Sequence, residues 1–218
     1  MVHVSTLKHK TAMKSYLVIS AAILGIAYAD VRQYHLADYS KCPQNEIMNN
    51  DMREKVTDMH NAYRSKFARD HQASKMRKLV YDCAIEKGIY ESDTKCEMKP
   101  SMEEENVEVI DGNSDDLTVI SEAGNSWWSE ILDLKGKDVY NSVDNTSEIA
   151  NMAWESHAKL GCAVVECSKK THVVCRYGPE GKGEGKKIYE KGETCSQCSD
   201  YGQGVTCDND EWEGLLCS

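Results

Sequence analysis

Ten cysteines constrain this chain more than any other feature, and what they can do depends on where the chain works. The N-terminus answers that question. Met13 and Lys14 lead into an apolar run from Tyr16 to Ala27, which closes on Ala27-Tyr28-Ala29. A charged start, an apolar stretch too short to span a bilayer comfortably and an A-x-A site describe an export signal. Residues 1–29 therefore read as a signal peptide cleaved after Ala29, with Met1 or Met13 as the start. All ten cysteines follow it, and an even number in an exported chain reads as disulfides. The competing reading is a four-thiolate zinc site made of Cys195 and Cys198 with Cys207 and Cys217. An oxidising compartment does not keep such thiols reduced, so bridges are expected and no cysteine is left as a nucleophile.

Removing the signal leaves 189 residues, enough for one domain with a sizeable core. It also removes three lysines and no acid, so 23 basic side chains face 36 acidic ones and the net charge is −13. Such a chain repels nucleic acid and anionic membranes. No second apolar run of membrane length follows. A soluble, secreted and mainly monomeric protein is expected, with no nucleic-acid partner and no membrane insertion.

Apolar residues at Met52, Val56, Met59, Tyr63 and Phe67 recur at helical spacing, and Asp51 with Glu54 forms a capping box, which predicts a helix over 51–67. Ile85 and Ile89 mark a second helix within 78–92, and Leu117, Ile120, Trp127, Ile131 and Leu134 a third. Ile149, Met152, Ala153 and Leu160 mark a fourth, capped by Thr146 or Ser147 and broken at Gly161. The acidic, Gly- and Asn-rich stretch 101–125 reads as a long loop with some strand around Val107–Ile110. Residues 162–168 and 171–178 read as a β hairpin that turns at Lys169 and Lys170. The Gly-rich segment 178–187 lacks the strand-then-helix setting of a phosphate cradle and reads as a linker. Four cysteines in 195–218 describe a small stapled tail. Helices before a cysteine-tied hairpin predict an α+β fold with a sheet between helical layers.

Four motifs in order, "HNAYR" (60–64), "ENV" (105–107), "MAWESHAKLGC" (152–162) and "HVVCRYGPEG" (172–181), resemble the CAP superfamily (SCP/TAPS). That superfamily holds the cysteine-rich secretory proteins, insect venom antigen 5 and plant pathogenesis-related proteins of class 1. The resemblance covers about residues 42–192, and the tail "IYEKGETCSQC" is similar to secreted proteins of hookworms and related gut nematodes. "ASKM" with "YDCAIEK", and "GCAVV" with "THVVC", resemble the hookworm subgroup of neutrophil inhibitory factor and platelet inhibitors. The implied fold is a three-layer α-β-α sandwich, with a CAP domain over 30–192 and a cysteine-rich tail over 193–218.

Many CAP proteins carry two His and two Glu in a central cleft that can hold a divalent metal. Matched motif by motif, the first His falls on Pro100, four residues after Cys96, and the first Glu on Glu105. The second Glu falls on Glu130, in "WWSE", and the last His on Glu148, six residues before Trp154. Both imidazoles are absent. A carboxylate at 148 does not replace imidazole as a zinc ligand of the usual kind, and no loop spacing describes calcium. The resemblance thus implies a degenerate cleft with no metal and no cofactor, in which Glu148 also favours its helix start. His60 reads as a core histidine, and His157 and His172 as exposed or packing residues. With no triad and no matched acid and base, catalysis is not expected.

What the subgroup implies instead is a binding protein aimed at a host cell-surface receptor, an antagonist of leukocyte or platelet integrins. The alternative is sterol or lipid carriage, found in some CAP proteins, for which Trp127, Trp128 and the methionines offer little beyond core. No Arg-Gly-Asp or Lys-Gly-Asp is present; "KGKD" at 135–138 has one residue inserted, and "KGE" occurs at 182–184 and 191–193. An integrin contact would then use a folded surface, the acidic cleft being one candidate. The family joins the positions of Cys162 and Cys175, and related proteins join those of Cys96 and Cys167, which leaves Cys42 with Cys83. The tail keeps Cys195, Cys198, Cys207 and Cys217 to itself, and pairings without the strained Cys195–Cys198 ring are favoured. Asn145-Thr146-Ser147 is the one N-x-S/T site and reads as a glycosylation site.

Overall fold

A computed structural model describes residues 38–44, 46–112, 114, 117–209 and 214–218, so the export signal expected at 1–29 lies outside the described residues. In chain order the elements are α1 (Asn50–His71), β1 (Val80–Tyr81), α2 (Cys83–Tyr90), β2 (Glu105–Asp111), α3 (Leu117–Ser129), α4 (Ile131–Leu134), α5 (Ser147–Ala153), β3 (Lys159–Cys167) and β4 (Lys170–Gly178). The four strands form one sheet in the order β1-β3-β4-β2, with β1 parallel to β3 and the other pairs antiparallel.

The two-residue period of the strands divides the core. Leu160, Cys162 and Val164 of β3 and Val173, Cys175 and Tyr177 of β4 face one way, against Met52 and Val56 of α1, Val119, Ile120 and Trp127 of α3, and Met152 of α5. Ala163, Val174 and Val107 face the other way, against Ile89 of α2. The result is the three-layer α-β-α sandwich with a disulfide-stapled tail. A further cluster of Phe67, Met76, Leu134, Ile149, Trp154 and Tyr189 takes in Leu216 from the tail. Backbone bonds from Cys217 N to Met76 O (2.8 Å) and from Lys78 N to Cys217 O (2.9 Å) fix that contact.

Several boundaries differ from those the local pattern predicts. Asn49, not Asp51, caps α1, its Oδ1 accepting the Met52 N–H at 3.0 Å. The third helix is two, divided at Glu130. The fourth ends at Ala153, and Leu160 and Gly161 belong to β3. Gly161 is no helix breaker but a point of close approach: a Cβ there would lie 2.6 Å from the Ile85 Cβ and 2.8 Å from Asp82 O on the α2 side. Residues 105–111 are strand throughout rather than mostly loop.

Five disulfides staple the fold: Cys42–Cys83, Cys96–Cys167, Cys162–Cys175, Cys195–Cys207 and Cys198–Cys217. Cys162 and Cys175 are directly opposed across the hairpin. The four tail sulfurs are spent on two of these bridges, so they offer no thiolate set to zinc.

Candidate functional site

The segment "HNAYR" turns out to be framework. Arg64 is fully buried, and its Nε donates to Arg77 O (2.8 Å), Nη1 to Met152 O (2.8 Å) and Trp154 O (3.0 Å), and Nη2 to Glu155 O (3.3 Å) and His157 O (3.1 Å). Those bonds use every N–H that a guanidinium has. They also explain why α5 stops at Ala153: the chain turns there to present four carbonyls to one cation. Asn61 adds a two-way bond to the Leu79 backbone at the entry to β1.

The histidines pack rather than titrate. His60 Nδ1 donates to Val56 O (2.7 Å), so Nε2 accepts from the Tyr177 hydroxyl (2.9 Å). Burial first, and then the Arg64 charge, bring the His60 ring down to about 4. His157 is buried with Nδ1 3.1 Å from Asn151 O and its ring stacked on Tyr177, and burial brings it down to about 3. His172 is buried on β4.

The four cleft positions do not converge. Pro100 is exposed and brings no donor atom. Glu105 shares the side of the sheet that faces α2, where its Oε2 pairs with Arg176, itself 3.4 Å from Gly88 O; its Oε1 accepts the Ser101 N–H at 2.7 Å. Glu130 Oε2 accepts the N–H groups of Glu148 (2.8 Å) and Ile149 (3.0 Å). Glu130 is therefore the cap of α5, which neither Thr146 nor Ser147 provides. Capping with a distant carboxylate brings Glu130 against Glu148, with Glu108 of β2 on the same side. Glu148 is half-buried, and burial, followed by Glu130 and Glu108, pushes its carboxyl up to about 8. Burial raises Glu130 as well, against the pull of its two backbone bonds.

Sequence reasoning missed the residue that answers this charge. Lys182, in the presumed linker, has a fully buried side chain. Its Nζ donates to Ser147 Oγ (2.8 Å), lies 5.0 Å from the Tyr140 ring centre and stands 4.0 Å from Glu103 Oε2. Glu104 accepts the N–H groups of Gly181 (2.9 Å) and Lys182 (3.2 Å) and so fixes the loop. Burial brings the Lys182 amine down to about 8, against the pull of Glu103, Glu104, Glu130 and Glu148. Glu108 was legible from its period with Asn106; Lys182 sat in a run of Gly and Lys with no period at all. The set does not fit a divalent metal: one position lacks a donor, two carboxylates are spent on backbone and arginine, and an ammonium stands among the rest.

A family model described as the cysteine-rich secretory protein family, CAP, matches residues 57–177. Hookworm platelet inhibitor 1 of Ancylostoma caninum is 58% identical over 205 residues, covering 94% of this chain and 98% of that protein. The crystal structure of hookworm platelet inhibitor superposes with a TM-score of 0.77 at 59% identity, over 83% of this chain and 97% of that one. A crystal structure of NaASP2 with Zn2+ gives 0.66 at 32% identity, over 81% of this chain and 100% of that one.

Proposed function

This chain belongs to the CAP family of cysteine-rich secretory proteins, and on that premise we propose that it is a secreted, non-catalytic antagonist of host platelets or leukocytes, acting on a cell-surface integrin. The observation that carries the reading is the 58% identity to hookworm platelet inhibitor 1 across nearly the whole of both chains. The site supports it by what its groups already do. His60 and His157 are neutral packing residues, Glu105 and Glu130 hold backbone and arginine, and Lys182 stands among the remaining carboxylates, so the described cleft residues offer no nucleophile paired with a base.

The segment 135–138 is a poor candidate for a linear integrin motif. Lys137 is tied to Asp144 at 2.6 Å, and Asp138 is half-buried with Lys191 3.8 Å away. The contact is instead assigned to a folded surface. Asn145 is exposed after a short 3-10 turn, in the left-handed conformation (φ 54°), and is assigned as a glycan carrier.

The test is adhesion of platelets and of neutrophils, side by side, to immobilised integrin ligands, with the glycosylated, fully bridged protein added. Dose-dependent loss of platelet adhesion, with direct capture of the purified integrin, is the expected result. Unchanged adhesion of both cell types sinks the reading.

A further inference from the structure

We infer that Cys96–Cys167 is a thiol-exchange site, a disulfide that a host thiol opens while the other four bridges stay closed. Of the ten half-cystines only Cys96 is exposed. Its partner Cys167 is buried, as are Cys162, Cys175, Cys198 and Cys217, Cys42 is buried against a half-buried Cys83, and Cys195 and Cys207 are half-buried, so Cys96 is the sulfur open to attack. The Cys96–Cys167 bridge also lies in an open groove, shared with Met98, Glu166, Ser168, Lys170 and His172. Access of the attacking thiolate to sulfur is the first requirement for exchange, and here the groove supplies it.

The groove supplies a cation as well. A thiolate attacks Cys96 Sγ, the S–S bond breaks, and Cys167 leaves as a thiolate in the groove that the Lys170 side chain also lines. Lys170 is 3.2 Å from Asp111 Oδ1, so it is held at this end of the sheet. A second thiolate then attacks the outer sulfur of the mixed disulfide, that S–S bond breaks, and Cys96 leaves as a thiolate. The protein gains two electrons, and two thiols become one small disulfide. The reactant class is a low-molecular-weight thiol or the dithiol of a cell-surface oxidoreductase.

What the bridge holds gives the step a consequence. Residues 91–104 between α2 and β2 form no helix or strand, and Cys96 ties them to the end of β3. That segment carries Glu103 and Glu104, which respectively stand by the Lys182 ammonium and hold the 181–182 backbone. Opening the bridge frees the loop that leads into this acidic wall, whose remaining anchors are the bonds from Asn151 Nδ2 to Glu103 O (3.0 Å) and from Tyr177 N to Glu104 O (3.0 Å), and leaves the sandwich stapled elsewhere.

The native, fully oxidised protein is to be treated with graded dithiothreitol without denaturant, quenched with an alkylating agent and mapped by peptide mass. Cys96 and Cys167 are expected to be labelled about tenfold faster than any other pair. Hydrogen exchange in 97–104 is expected to rise in the singly opened protein, and a Cys96→Ser, Cys167→Ser double variant to reproduce that rise. Earlier opening of Cys195–Cys207 or Cys42–Cys83, release of all five bridges together, or unchanged exchange in 97–104 each overturns the inference.

Discussion

Replacing Glu148 by Gln removes a charge from a place where the fold resists it, so the variant is expected to be more stable than the native protein, and increasingly so as the pH rises. The carboxyl moves from its ordinary 4.5 to about 8, mainly through burial and then through Glu130 and Glu108. A folded value above the unfolded one means that the folded state holds the extra proton. The native protein therefore keeps its full stability from this group below pH 4.5 and loses it as the pH rises through 8. At about 1.4 kcal/mol per unit the full swing would approach about 5 kcal/mol. Glu148 is only half-buried, and water screening brings the realised figure to about 1–2 kcal/mol.

Glutamine keeps the shape and does not titrate. Urea unfolding of both proteins, bridges intact, should give equal stabilities near pH 4.5 and an advantage of about 1–2 kcal/mol for Glu148→Gln at pH 8. The window stops there because Lys182, brought down to about 8, adds stability of the opposite slope at higher pH. A difference that stays flat between pH 4.5 and 8, or one that grows on acidification, refutes the reasoning.

Arg64→Lys trades five donors for three, so buried bonds to the carbonyls of Arg77, Met152, Trp154, Glu155 and His157 are lost, and the urea midpoint should fall by the equivalent of about 3–5 kcal/mol with little change in slope. Metal analysis of the native protein after mild dialysis should find well under one equivalent of zinc, and a stoichiometric zinc that is lost on changing Glu105 or Glu130 counts against the site as described. Treatment with an N-glycosidase should lower the mass by one glycan and label Asn145; no mass change means that the site is unused.

The sequence carried the layers of the fold because they follow from local periods. Val56, Met59 and Phe67 mark α1, and the alternation through Cys162, Val164, Val173 and Cys175 marks the hairpin. What it did not carry are groups whose partners are distant in the chain. Thr146 and Ser147 are good caps by type, yet Glu130, 18 and 19 residues before the N–H groups it accepts, takes the start of α5 because a carboxylate bonds them more strongly than a hydroxyl. Arg64 is recognisable in its motif, but its partners are backbone carbonyls, which leave no trace in side-chain identity. The helix end at Ala153 was misread for the same reason. Leu160 continues the apolar spacing, but the demand of Arg64 for carbonyls ends the helix first.

The same physics accounts for the charge balance around Glu148. Glu148 adds a carboxylate beside Glu130, and Glu108 and Glu103 lie close to the same group of residues. Carboxylates crowded in a half-buried space need compensation, which elsewhere a divalent cation can supply. Here the compensation is internal. Two backbone N–H groups at the start of α5 take Glu130, a retained proton takes Glu148, and the buried Lys182 ammonium serves the rest. Glu104 makes this arrangement durable, because it holds the backbone on either side of the Gly181–Lys182 peptide and so fixes the root of the lysine. A glycine at 104 would free that loop and let Lys182 swing out to water, which would leave the carboxylates to find a cation from solution. Glu104, Glu148 and Lys182 are therefore coupled through one charge balance.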